Sequence, residues 1–162
     1  MSGLTKRNDE GAALRRAVEL GHRTEVLAFQ LAGEAYAVRI ELVTEILRPP
    51  PLTEVPRAPS PLRGLVSVRG RLSTVVDLRS CLRLAAAPIE GKSRLLLATH
   101  DGESMALLVD EVRQVYRLAE AEIEPAAALG GEQPPYIWGI ARPAGGELLV
   151  LLDVRQLLEG LA

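Results

Sequence analysis

The sequence predicts a mainly-β protein made of two small barrels, on three observations. Apolar residues alternate with period two through several short runs, glycine-containing turns separate those runs at close intervals, and the second half of the chain repeats the plan of the first. Short strands at this spacing favour barrels over sandwiches of long strands, because closure removes exposed edges. A barrel of about 65 residues buries little alone, so two are expected to share an interface and fold as a unit. The 162 residues suffice for that, and 48% apolar with 25% charged is ordinary globular composition.

Residues 1–22 mix charges with Ala and Gly and read as an N-terminal leader. Leu14, Ala17 and Val18 stand at helical spacing, which suits a short helix begun at Asn8 or Asp9 and stopped at Gly21; a frayed or weakly docking arm is the plainer reading. From Thr24 the period becomes two. Leu27, Phe29 and Leu31 alternate with Ala28 and Gln30, Gly33-Glu34 supplies a turn, and Tyr36, Val38 and Ile40 return, which predicts a hairpin with one buried face. Through residues 41–47 a short helical turn or a strand suits the pattern equally, given the β-branched Val43, Thr44 and Ile46. Pro49, Pro50, Pro51, Pro56, Pro59 and Pro61 follow, over half of the 11 prolines, and exclude regular structure there. Residues 64–77 read as strand, tight turn, strand, and Asp77 caps a helix carrying Leu78, Cys81 and Leu82.

The second half repeats this order. Leu95, Leu97 and Thr99 alternate, a turn spans residues 100–103, and Met105, Leu107 and Val109 return. Setting Gly33 over Gly102 also sets Glu41 over Asp110, Val43 over Val112 and Ile46 over Val115. A hairpin beginning at Gly139-Ile140 ends in Leu152-Asp153-Val154-Arg155, echoing Val76-Asp77-Leu78-Arg79. Residues 23–162 are thus expected to form one domain of two pseudo-repeated halves, about 23–84 and 93–162, joined at residues 85–92.

Composition removes several kinds of chemistry. Aromatic residues are only 3% of the chain and the net charge is -2, which argues against a stacking platform or a phosphate-backbone partner. The single Cys81 makes no intrachain disulfide, and neither His22 nor His100 stands in metal-ligand spacing with it. There is no signal-peptide layout, no apolar run near the roughly 20 residues that span a bilayer, and no phosphate-cradling loop or nucleophile elbow. A cytoplasmic protein without catalytic residues, metal or cofactor is expected. His100-Asp101 falls at a hairpin tip, Cys81 on the apolar stripe of its helix, and Asp77 and Asp153 at matching cap positions. Glu45 and Arg69 are less easily dismissed. A solvated face and a polar hairpin tip account for them, yet an Arg at a rigid turn is well placed to hold a carboxylate, and Glu45 is the candidate partner.

The run from Pro61 to Arg79, Pro-Leu-Arg-Gly-Leu-Val-Ser-Val-Arg-Gly-Arg-Leu-Ser-Thr-Val-Val-Asp-Leu-Arg, resembles the signature of the CheW-like family of bacterial chemotaxis coupling proteins. Tyr36-Ala37-Val38 leading to Val43-Thr44-Glu45-Ile46, then Val109 to Val115 and Tyr136 to Ile140, resemble further pieces in the same order, over residues 24–160. The resemblance implies two intertwined small SH3-like β-barrel subdomains with a few short helices. It also implies an adaptor rather than an enzyme. One barrel would bind the regulatory domain of a CheA-like histidine kinase, and an apolar groove between barrels would grip the cytoplasmic helical-hairpin tip of a chemoreceptor. No nucleic acid and no direct membrane insertion are implied, only recruitment to receptor arrays. Carried over by motif, Val43, Glu45, Ile46, Arg69 and Gly70 match positions tied to those contacts, and Val112 would help line the receptor groove. Gly64 and Gly139 would be structural turn positions where a Cβ clashes or φ is positive.

Two departures stand out. Ser67 occupies the place of a usual Asn and Thr74 that of a common strand Pro, so a divergent member that binds receptor but couples poorly to kinase is the alternative. A small β-barrel enzyme is a remote one.

Overall fold

The computed structural model describes residues 23–160; the leader and its expected helix lie outside them. The strands are β1 (Thr24–Leu31), β2 (Glu34–Arg39), β3 (Glu45–Leu47), β4 (Leu62–Val68), β5 (Arg71–Asp77), β6 (Arg94–His100), β7 (Glu103–Val109), β8 (Glu111–Leu118), β9 (Ile123–Pro125), β10 (Ile137–Ala141) and β11 (Leu149–Leu152). Two short helices, α1 (Leu78–Cys81) and α2 (Val154–Glu159), follow β5 and β11. Asp77 and Asp153 cap them as expected: Arg79 N donates to Asp77 Oδ1 at 3.0 Å and Gln156 N to Asp153 Oδ1 at 3.2 Å.

Three hairpins close on pairs of residues with positive φ. These are Ala32 and Gly33 (52° and 81°), Arg69 and Gly70 (52° and 77°), and Asp101 and Gly102 (49° and 79°). Two positive values in a two-residue loop match the right-handed twist of the flanking strands. The first turn is therefore Ala32-Gly33, one residue before the expected place, with Glu34 already paired to Leu31. The ambiguous stretch after β2 divides: Ile40–Leu42 is a 3-10 turn and Glu45–Leu47 a strand. Within the Pro-rich loop Thr53 forms a β-bridge with Leu65, because Thr53 keeps the N–H that its proline neighbours lack.

The strands order as β8-β1-β2-β11-β10-β9 in one sheet and β3-β6-β7-β5-β4 in the other. Each sheet takes a hairpin from the opposite half of the sequence. Hairpin β1–β2 joins β8–β11 through the parallel pair β2–β11, and hairpin β6–β7 joins β3–β5 through the parallel pair β5–β7. The molecule is thus mainly β, two intertwined SH3-like barrels with a few short helices. Barrel 1 holds β1, β2 and β8–β11; barrel 2 holds β3–β7.

The expectation of one buried face per hairpin is corrected. Val26, Ala28, Ala35 and Ala37 face the interior of barrel 1, while Leu27, Phe29, Leu31 and Val38 face a core shared between the barrels. Likewise Leu95, Leu97 and Ala106 fill barrel 2, and Leu96, Leu107 and Val109 join the shared core. Each exchanged hairpin lies between a barrel interior and the other subdomain, so both faces are dry. Alanines from the exchanged hairpin pack against Leu118, Leu149 and Leu151 inside barrel 1, and its larger residues face the gap between the two sheets.

The chain passes between the sheets twice, from β2 to β3 and from β7 to β8. At the second crossing Asp110 N donates to Gln30 O at 3.1 Å, and Ala32 N donates to Asp110 Oδ2 at 2.8 Å. Arg79 Nε donates to Asp110 Oδ1 at 2.9 Å and Oδ2 at 3.1 Å, its Nη2 also donates to Oδ2, and its Nη1 reaches Ala85 O at 3.0 Å. Partial burial pushes the Asp110 carboxyl up, but the Arg79 hydrogen bonds, the Ala32 amide and the guanidinium charge together hold it below the usual carboxylate range.

Candidate partner-binding surface

Glu45 opens the edge strand β3, opposite Leu97 of β6, and Arg69 stands at the β4–β5 turn. Arg69 Nη2 donates to Glu45 Oε1 at 2.7 Å, with the Arg side chain 79% exposed and the Glu 27%. The pair anticipated from the sequence is thus formed, and it ties the edge of barrel 2 to its hairpin tip. At that exposure it adds only about 0–1 kcal/mol to stability; what it does is hold a guanidinium in a fixed place at the surface. Gly70 completes the turn, and its positive φ of 77° with open space around it is a conformational requirement.

Glu45 and Arg69 border an open depression of about 930 Å³ with Thr44, Arg71, Leu72, Ser73, Thr99 and Ser104. Its floor is polar: Ser73 Oγ and Ser104 Oγ lie 2.7 Å apart, and Thr44 Oγ1 donates to Leu97 O at 3.2 Å. Such a wet, open wall suits contact with another macromolecule better than enclosure of a small ligand.

Val43, Ile46 and Val112 do not line this depression. Val43 and Val112 are partly buried against the shared core, Val112 opposite Phe29, whereas Ile46 lies opposite Leu96 and is 43% exposed. The structure therefore brings Glu45, Arg69 and Gly70 together and sets the two valines at the margin between barrels.

Gly64 and Gly139 are corrected from turn positions to strand interiors. Each sits in β4 or β10 at a register shift, after Leu62 and Ile137 respectively. A Cβ on Gly64 would stand 2.5 Å from Thr53 O, and one on Gly139 2.6 Å from Glu124 O. A neighbouring backbone comes too close for any side chain, which is the physical requirement at both.

Of the exposed apolar residues Ile46 is named from the sequence, whereas Leu72, Leu148 and Val115 are what sequence reading missed. Leu72 is 69% exposed on the outer face of β5 and borders a shallow groove with Pro50, Pro51 and Leu65. Setting Asp77 over Asp153 places Leu72 over Leu148, which is also exposed, and the Gly33-over-Gly102 alignment places the exposed Ile46 over the exposed Val115. The structure supplies the missing signal: Ser73 and Val75 face inward, so Leu72 is an apolar residue in the outward phase of its strand.

Other reactive groups are occupied structurally. Burial, followed by the Asp77 charge, pushes the Cys81 thiol up to about 11, which keeps it protonated and a weak nucleophile at neutral pH. His100 Nε2 lies 3.4 Å from Asp101 Oδ2 at the β6–β7 tip. Among the described residues no His, Cys, Asp and Glu side chains gather in a group of three that would hold a metal ion, and no helix is long and apolar enough to cross a membrane.

Comparison with known proteins gives consistent matches. The model of the CheW-like domain matches residues 25–162. The chemotaxis protein CheW of Helicobacter pylori is 23% identical over 159 residues, covering 98% of this chain and 96% of its own. Protein FrzA of Myxococcus xanthus is 29% identical over 136 residues, with 83% and 85% covered. The crystal structure of the scaffolding protein TtCheW from Thermoanaerobacter tengcongensis matches with a TM-score of 0.76 at 25% identity, covering 85% of this chain and 93% of that one.

Proposed function

Because this chain belongs to the family of CheW-like domains, we propose that it is a non-catalytic adaptor coupling chemoreceptors to a CheA-type histidine kinase in a chemosensory pathway. The similar proteins are named as chemotaxis and scaffolding proteins, which supports the adaptor class. The observation that carries the reading is the duplication of exposed apolar residues, Leu72 with Leu148 and Ile46 with Val115, at corresponding places on two barrels. Two joined subdomains with an adhesive spot on each are suited to bridging partners. Covering one such leucine contributes roughly 1.5–3 kcal/mol, enough to matter in a modest interface.

In this reading Val43, Ile46 and Val112 offer aliphatic area to the helical-hairpin tip of the receptor, and the Glu45–Arg69 pair at the Gly70 turn presents a fixed charge pattern that sets register. Neither role needs a cofactor, nucleic acid or insertion into the bilayer. The protein acts in the cytoplasm, gathered at receptor arrays.

The test is a pull-down with the kinase regulatory domain and the receptor tip offered separately. Capture by both is expected. Capture by the receptor tip alone replaces the coupling function with the divergent alternative, and capture by neither overturns the adaptor reading.

A further inference from the structure

We infer that the two barrels are latched at one of their two crossings and free at the other, so that they turn about the latch. Asp110, the single residue between β7 and β8, accepts from the Ala32 amide of barrel 1 and from the Arg79 guanidinium of barrel 2. Three segments, the β1–β2 turn, the β7–β8 crossing and α1, thus meet on one carboxylate.

The repeat identifies what should stand at the other crossing. Glu41 takes the place of Asp110 and Arg155 that of Arg79. Among the described residues Glu41 makes no hydrogen bond or ion pair, and Arg155 Nε donates at 3.2 Å to Glu159 of its own helix. Among the described residues the hydrogen bonds that tie the β2–β3 crossing to a sheet go to barrel 2, Thr44 N and Oγ1 donating to Leu97 O at 2.8 and 3.2 Å, while Ile40 and Val43 only pack on the shared core. A latch is therefore built at one place and missing at its equivalent.

Between the barrels the remaining contact is apolar: Leu27, Phe29, Leu31 and Val38 against Leu96, Leu107 and Val109. Apolar contact is non-directional and permits small sliding, whereas a forked ion pair with a backbone amide fixes direction. Rotation about Asp110 consequently opens or narrows the side where Val43 and Ile46 lie. The latch itself does not depend on which partner binds there.

The test uses the full chain with Cys81→Ser and spin labels at Arg71→Cys on barrel 2 and Arg142→Cys on barrel 1, read by pulsed electron spin resonance. Asp110→Ala is expected to broaden the inter-barrel distance distribution about twofold and to speed exchange of the Ala32 amide about tenfold, while core amides of Leu96 and Leu107 keep their protection. Arg79→Lys, which keeps the charge and loses the fork, is expected to broaden it less, and decides the matter if Asp110→Ala fails to fold. Glu41→Gln is expected to leave the distribution unchanged. An unchanged distribution in the latch variants, or equal broadening by Glu41→Gln, overturns the latch.

Discussion

Replacing Gly64 with alanine tests the closest backbone approach in barrel 2. The added Cβ would lie 2.5 Å from Thr53 O, and ordinary contacts begin at 3.4 Å, so the Thr53 strand must retreat by about 0.9 Å. That carbonyl accepts from Leu65 N at 2.8 Å, and Thr53 N donates to Leu65 O at 2.9 Å. Both bonds would stretch beyond a useful length. Losing two backbone hydrogen bonds costs about 2 kcal/mol, and holding alanine at the glycine φ of 155° adds about 1 kcal/mol. A total near 3 kcal/mol corresponds to a Tm lowered by roughly 6–12 °C in a chain of this size. Urea and thermal unfolding followed by circular dichroism measure it. Gly70→Ala is the internal reference, since nothing lies within 4 Å of its Cβ and only a positive φ is penalised, at about 1 kcal/mol. Finding Gly64→Ala no more destabilising than Gly70→Ala would refute the close-approach argument.

Three further outcomes are expected. Arg69→Glu, at a side chain 79% exposed, should change stability by less than about 1 kcal/mol yet weaken binding to kinase domain or receptor tip about tenfold by titration calorimetry; unchanged affinity for both removes Arg69 from the surface. Leu72→Asp should leave the unfolding transition in place, because the side chain is already mostly in water, and reduce capture of one partner in the pull-down; intact capture of both would exclude this patch. Asp110→Asn should lower stability at neutral pH by roughly 1–2 kcal/mol, discounted for partial exposure. The Asp110 carboxyl titrates lower in the folded chain than in the unfolded one, so its contribution is complete above the ordinary carboxylate value and fades as pH falls through the folded one. The gap between native and variant stability should therefore narrow only below about pH 4; a gap that stays constant down to pH 2 would exclude the charge of Asp110 as its source.

Hairpins and caps were legible because their chemistry is local. Gly33, Gly70 and Gly102 mark turns that need positive φ, and Asp77 and Asp153 announce helix starts within two residues. Burial of both faces was not legible, since Ala28, Ala35 and Ala37 are small enough to suit either phase of an alternating strand. Exchange of hairpins leaves no local signature, because it concerns which strand edges meet; it came with the family resemblance. Glu45 and Arg69 were named from residue type and turn position, and their ion pair is present. For Gly64 and Gly139 the backbone constraint is legible but its place is not, because the approaching carbonyls belong to Thr53 in the Pro-rich loop and to Glu124 in the three-residue strand β9, neither of which any periodicity reveals. Leu72 escaped notice for a different reason: an exposed leucine in a strand is visible only once the inward phase is known.

The exchanged hairpins also set how the chain can be divided. A cut within residues 85–92 would not release two working barrels. The N-terminal fragment would carry β1–β2, which barrel 1 needs, together with a barrel 2 lacking its central β6–β7, and the C-terminal fragment the converse. Neither piece closes a sheet without the other, so the fragments should be inert apart and active on mixing, a built-in split reporter of the adaptor's own assembly.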